Sequence, residues 1–167
     1  MADYEFPVDR SAILDFAAAL GETNPIYWDE AYARTTPLAA VIAPPTFAVV
    51  SAHWNPDHAF KGIRKIPQRT RSQTGESEPR ARRAEGGAFG NLSRVLHGEQ
   101  RFVYHQPIRP GMRLSVTMRA GKSWEKEGKR GGKLRFSETI SEYRDQHGEL
   151  VVTAISVGIV TEKAVEA

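Results

Sequence analysis

The chain contains no cysteine. Disulfides, thiolate metal sites and a cysteine nucleophile are therefore excluded, and nothing in the composition calls for an oxidising compartment. Long apolar runs are missing as well. No stretch reaches the ~18 residues of a membrane-spanning helix, and Met1 to Arg10 sets acidic residues among its few apolar ones. The expectation is a cytoplasmic protein that does not enter a membrane. What remains, 167 residues of which 40% are hydrophobic and 26% charged, fits one globular domain with one core.

The formal net charge is only +3, but its distribution is uneven. Between Lys61 and Arg94 nine basic residues stand against three acidic ones, so the rest of the chain is mildly acidic. A block of like charge attracts polyanions, and it is also the usual composition of a solvated loop. Only Phe60 and Phe89 are interleaved with those charges, too few for the stacking surface of a single-stranded nucleic-acid binder. No nucleic-acid partner is expected.

Ile13, Phe16, Ala17 and Leu20 recur at the i, i+3, i+4, i+7 spacing of a buried helical stripe. Asp9 or Ser11 is placed to cap the start and Gly21 to end it. After Asn24-Pro25, residues Asp29 to Arg34 supply a second helical turn or two. Pro44 or Pro45 then opens a third helix, since a proline at the first turn needs no N–H. Phe47, Ala48, Val49, Val50 and Ala52 make that helix apolar nearly all round, which predicts burial on most sides. From about residue 55 to 91, Arg, Gly, Ser, Pro and Glu dominate without periodicity, and this stretch reads as an inserted basic loop.

The remainder alternates. Phe102 and Tyr104, then Leu114, Val116 and Met118, then Leu134, Phe136 and Ile140, then Val151 to Ile159 give strands. Turn residues at Pro107 to Gly111, Gly128 to Gly132 and Asp145 to Gly148 separate them. Helices first, with one apolar on every side, followed by an antiparallel meander, predict an α+β domain whose sheet curls around a central helix.

Several motifs, in order, carry a resemblance. They are Phe16 to Ala31 with Gly21-Glu22-Thr23-Asn24-Pro25-Ile26-Tyr27, then Ala43-Pro44-Pro45-Thr46-Phe47, Leu96-His97-Gly98-Glu99-Gln100, Pro107 to Gly111 and Tyr143 to Val151. Together they resemble the N-terminal half-domain of MaoC-like dehydratases, including FAS1-like dehydratases and the non-catalytic subunits of the mycobacterial type. The resemblance covers most of the chain except the insertion. It implies a hot-dog fold, with the sheet wrapped around the helix that begins at Ala43-Pro44-Pro45, and pairing of two such units into a double hot dog.

Catalytic members read Gly-Asp-x-Asn-Pro-x-His after the first helix, and there the Asp and His handle water and the α-proton in reversible hydration of an enoyl thioester. Here Glu22 and Tyr27 occupy those positions while Asn24 is kept. The extra methylene of glutamate displaces its carboxylate by more than the ~1 Å that reactive geometry tolerates. A tyrosine with an ordinary pKa of roughly 10 is a poor base near neutrality. The catalytic version of the central helix begins Ala-His-Gly, with the glycine N–H on the thioester oxygen. Pro45 stands in its place and has no N–H. Losing such a donor costs about 10²–10³ in rate, and losing acid/base help about 10²–10⁴.

The resemblance therefore implies a non-catalytic, substrate-tunnel-forming subunit of an (R)-specific 3-hydroxyacyl-thioester dehydratase or enoyl-thioester hydratase. Its partner would be a catalytic MaoC-like subunit, or a second copy of itself. A homodimeric acyl-thioester-binding protein and a hot-dog thioesterase are the other readings, because fold alone does not separate them. Pro44, Pro45, Thr46, Phe47, Val50 and Trp54 are candidates to line the acyl tunnel. Arg80, Arg82 and Arg83 are candidates to hold the phosphates of coenzyme A or an acidic acyl carrier protein, since the guanidinium fork suits phosphate. His97 and His105 read as structural strand histidines, and His53 and His58 make no metal spacing. No metal and no cofactor are expected.

Overall fold

The computed structural model describes residues 4–56, 94–128 and 132–162. Five antiparallel strands, β1 (Tyr4–Pro7), β2 (Val95–Tyr104), β3 (Arg113–Gly128), β4 (Gly132–Arg144) and β5 (Leu150–Thr161), form one sheet in the order β1-β3-β4-β5-β2. Between β1 and β2 come α1 (Arg10–Ala19), a single helical turn over Pro25–Tyr27, α2 (Glu30–Thr35) and the central helix (Pro45–His53). Among the described residues, no helix is long and apolar enough to cross a membrane. The basic loop expected over about 55–91 lies, from residue 57 on, outside the described residues.

Of the expected α1 stripe, Ile13 and Ala17 are buried and Phe16 packs against the core, whereas Leu20, the C-cap beyond the last helical residue, is 53% exposed. Its end is a Schellman closure: Gly21 N–H donates to Ala18 O and Glu22 N–H to Ala17 O, both at 3.0 Å. Gly21 takes the left-handed φ of +69° that this closure needs and that a Cβ would oppose. The core gathers Phe6, Val8, Ile13, Phe47, Ala48, Leu114, Val116, Tyr143, Val151 and Val152. Phe47 lies at its centre, its ring 5.7 Å from Phe6 and 5.6 Å, edge on, from Phe16.

Three features depart from the sequence expectation. A strand, β1, precedes the helices, pairing Phe6 with Leu114 and Tyr4 with Val116 along β3. It is too short for its alternation to register, and Pro7 closes it. Second, β3 runs well past the Leu114 to Met118 alternation, up to the expected turn at Gly128. A bulge between Ala120 and Ser123 moves the side-chain alternation out of phase, which hides the second half of the strand. Gly121 sits in that bulge because a Cβ there would meet the Glu138 Cβ at 2.7 Å.

Third, the central helix is not buried on most sides. It is a tight 3₁₀ helix whose Phe47, Ala48 and Ser51 face the core, while Pro45, Thr46, Val49 and His53 are exposed. A 3₁₀ helix has three residues per turn, so its contacts repeat at a different angle from an α-helix. Two prolines at its head and the β-branched Thr46, Val49 and Val50 disfavour regular α-helix. Val49 is 45% exposed, leaving an apolar strip that sequence composition assigns to the interior.

Candidate functional site

The loop that follows α1 is built by Asn24. Its Oδ1 accepts the Ile26 N–H at 3.1 Å, and Pro25 supplies the fixed φ of the first helical position. Tyr27 N–H then returns to Asn24 O, and Asp29 N–H to Pro25 O at 2.8 Å. The retained Asn-Pro pair thus has a local structural task, independent of any chemistry. Asp29 repeats the device, its Oδ1 accepting the Tyr32 N–H at 3.0 Å to start α2.

Glu22 and Tyr27, the motif-equivalent pair, are both half-buried. Burial pushes the Tyr27 phenol above its ordinary pKa, and the Glu22 carboxylate raises it further. Two consequences follow. Tyr27 holds its proton at neutral pH, so it is a hydrogen-bond donor and not a base. The influence of Glu22 on it also places the two groups close enough for their charges to interact.

This loop lies beside the chain that enters the central helix: Ile42 N–H points at Ile26 O, 3.4 Å away. Ala43 N–H donates to Ile108 O at 2.8 Å, which ties the same segment to the turn between β2 and β3. Arg109 Nη1 donates to Leu38 O at 3.0 Å on the other side. Asn24, Tyr27, Pro44 and Pro45 are therefore brought into one neighbourhood.

Pro45 contributes no N–H, and its carbonyl is occupied. The Tyr104 hydroxyl, at the end of β2, donates to Pro45 O at 2.6 Å. Tyr104 stacks on Phe102 at 5.9 Å and is 47% exposed. Partial burial pushes its phenol upward too, so it also stays protonated. Its hydrogen bond to Pro45 joins the edge strand to the head of the helix, on which Thr46 and Val49 are exposed. Val49 and Tyr104 carry no sequence signal as site residues. Only the pairing of β2 with β5 brings Tyr104 to the helix.

The tunnel candidates separate by position. Pro44 and Phe47 are fully buried within this chain, Val50 is half-buried against the core, and Pro45 and Thr46 are exposed. Trp54, 37% exposed at the helix end, lays its ring 5.1 Å from Phe6. Arg80, Arg82 and Arg83 lie outside the described residues. His105 Nε2 sits 3.3 Å from Thr153 Oγ1 at the surface. Among the described residues, no three His, Asp or Glu side chains gather to hold a metal ion.

An antiparallel sheet in the order β1-β3-β4-β5-β2, packed on the central helix with the Asn-Pro loop beside its head, is the hot-dog fold of MaoC-like dehydratases. The model of the FAS1-like dehydratase domain region matches residues 1–154, and the chain belongs to that family. A UPF0336 protein of Streptomyces avermitilis is 34% identical over 152 residues, spanning 90% of this chain and 82% of its own. A probable enoyl-CoA hydratase alpha subunit of Thermomonospora curvata is 31% identical over 147 residues, spanning 88% of this chain and 43% of its own.

Two solved assemblies share the fold. The ChsH1-ChsH2 complex from Mycobacterium tuberculosis superposes with a TM-score of 0.67 at 19% identity, over 98% of this chain and 84% of that one. The C-terminally truncated HadBC 3R-hydroxyacyl-ACP dehydratase complex from the same organism gives 0.63 at 21%, over 95% and 94%. At these identities the likeness is one of fold.

Proposed function

We propose that this chain is the non-catalytic, tunnel-forming subunit of an (R)-specific 3-hydroxyacyl-thioester dehydratase, equally an enoyl-thioester hydratase, completed by a catalytic MaoC-like subunit. The observation that carries the reading is the state of Tyr27. It occupies the place of the family's histidine, and burial with the neighbouring Glu22 holds it protonated. Pro45 and its occupied carbonyl support the same reading, because the helix head has no N–H at that residue for a thioester oxygen.

Assembly follows from the sheet's unequal edges. β1 has four residues, whereas β2 presents ten, hydrogen-bonded to β5 on one side and carrying exposed Leu96, Val103 and Tyr104. Among the described residues no strand pairs with the other side of β2, and an edge of that length suits pairing with another chain. ChsH1-ChsH2 and HadBC are complexes, and the Thermomonospora relative is named an alpha subunit, which supports the reading of a two-chain enzyme.

The test is an assay of hydration with crotonyl and longer trans-2-enoyl thioesters, on the purified chain and on its mixture with a single-domain protein carrying Gly-Asp-x-Asn-Pro-x-His. The expected result is no measurable turnover alone and activity in the mixture, with co-sedimentation of the two. Robust activity of this chain alone that disappears in Glu22→Ala would overturn the reading and make Glu22 a working acid/base.

A further inference from the structure

The concave face of the sheet changes character along its length. Tyr143 marks that face, because its hydroxyl reaches the central helix at Ser51 Oγ (2.9 Å) and Ala48 O (3.2 Å). Counting in twos from Tyr143 along β4 gives Ser141, Thr139 and Ser137 on the same side. The register then places Ala154, Ser156 and Gly158 of β5 beside them, and Ser123 of β3 opposite Ser137. Under the helix the face is apolar, with Val116, Val152 and Ala154. Past the helix end, where Asn55 Nδ2 touches Met118 Sδ at 3.6 Å, it becomes hydroxyl-bearing.

The opposite face changes the other way. At the level of the hydroxyls, the convex side carries Ile140 paired with Ile155 and Phe136 paired with Ile159, with Trp124 stacked on Phe136 at 5.1 Å. Val157, also on that side, is only 2% exposed. A sheet that covers a hydrocarbon cavity turns its apolar residues inward. Here the apolar convex residues share their side with Arg119 and the Arg101–Glu138 ion pair, while on the concave side Ser137, Thr139, Ser141 and Ser156 interrupt a floor that also holds Phe102, Met118 and Ala120, so that floor offers polar contacts beyond the helix.

The hydroxyls of Ser123, Ser137, Thr139, Ser141 and Ser156 have no hydrogen-bond partner among the described residues. Thr139, Ser141 and Ser156 are half-buried. No described side-chain polar atom is both buried and unpaired, so these groups keep access to water. A cleft of about 380 Å³ opens at this far end of the sheet, lined by Ser123, Ser137 and the Glu125–Arg135 ion pair together with the apolar Trp124, Phe136 and Val160. A hydrocarbon chain laid over such a floor would strip its water and return no hydrogen bonds.

We propose that the acyl group this subunit receives carries oxygen along its chain, and that Thr139, Ser141 and Ser156 recognise those oxygens. The inference rests on the tunnel-forming role proposed above and specifies the substrate class for it. Hydroxyl side chains both donate and accept, so they suit hydroxy and keto functions equally. Phe47, Val50 and Trp54 then form only the near, apolar part of the path.

The experiment uses the complex with its catalytic subunit and two matched thioesters, trans-2-decenoyl-CoA and ω-hydroxy-trans-2-decenoyl-CoA, with crotonyl-CoA as a short control. The hydroxylated ester should be preferred in kcat/KM by about tenfold, the scale of one hydrogen bond gained. Thr139→Val combined with Ser141→Ala and Ser156→Ala should abolish or reverse that preference and leave crotonyl-CoA turnover unchanged. Thr139→Val alone serves if the triple variant does not fold. Equal handling of the two long esters, or a preference that survives the substitutions, overturns the proposal. A complex that turns over no enoyl thioester removes the proposed function. Calorimetric binding of decanoyl-CoA against ω-hydroxydecanoyl-CoA then still decides: tighter binding of the hydroxy ester supports the inference, and equal or absent binding overturns it.

Discussion

The Tyr143 hydroxyl on β4 lies 2.9 Å from Ser51 Oγ on the central helix, across 92 positions of sequence. Ser51 also meets the Tyr4 hydroxyl of β1 at 3.1 Å. Three hydroxyls therefore join the helix to two strands inside an otherwise apolar core, and each is satisfied. Networks of this kind fix one packing arrangement where apolar contacts alone would tolerate several.

Burial pushes the Tyr143 phenol up from 10 to about 12. Above pH 10 the unfolded chain loses this proton while the folded chain keeps it. The unfolded state then binds fewer protons, so stability falls as pH rises, by about 1.4 kcal/mol per unit up to the folded pKa. Urea midpoints between pH 9 and 12 measure this fall. Tyr143→Phe should flatten the slope in that window while costing about 1 kcal/mol at neutral pH from the lost hydrogen bonds. An unchanged slope would mean that Tyr143 is not shielded.

The two sides of the central helix should respond oppositely to substitution. Phe47→Ala removes a ring fully enclosed between Phe6 and Phe16, and should destabilise the fold by about 3–5 kcal/mol in urea denaturation. Val49→Asp alters an exposed position and should change stability by no more than about 0.5 kcal/mol. It should nevertheless weaken association with the catalytic subunit, read by sedimentation. Association at wild-type strength would mean that the exposed Val49 is not covered by the catalytic subunit.

In the complex, Glu22→Ala and Tyr27→Phe should each change kcat by less than about threefold, because Tyr27 keeps its proton and does not act as a base, and the proposed function places the acid/base pair on the catalytic subunit. Replacing the catalytic subunit's Asp or His should lower it by about 10²–10⁴. Steady-state kinetics on the matched set of complexes separates the two cases.

Arg80, Arg82 and Arg83 are proposed to aid capture of the carrier's phosphates. Reversing all three to glutamate should raise KM mainly at low salt, with the difference shrinking as the Debye length contracts to about 8 Å at physiological ionic strength. A KM that does not respond at low salt would leave these residues without that task.

Much of the architecture was legible in local pattern. The α1 stripe of Ile13, Phe16 and Ala17 and the alternation of Leu114, Val116 and Met118 each report one face of an element. The Asn24-Pro25 turn is equally local, since Asn24 caps a residue two positions on. The replacement of the motif's Asp and His by Glu22 and Tyr27 is a fact of sequence alone. Those signals survive because their causes lie within a few residues of one another.

Other properties depend on partners far along the chain. Alternation says which residues share a face of β4, but only the contact between Tyr143 and Ser51 says which face meets the helix. Once that is fixed, Thr139, Ser141 and Ser156 become concave and Phe136, Ile140 and Ile159 convex. The bulge in β3, the placement of β1 and the hydrogen bond from Tyr104 to Pro45 are decided in the same way. The sequence by itself determined α1, the main strands and their turns, the Asn24-Pro25 loop and the family resemblance. Tertiary structure decided which side of each strand faces a ligand, because a period of two leaves the two faces equivalent until a distant residue packs against one of them.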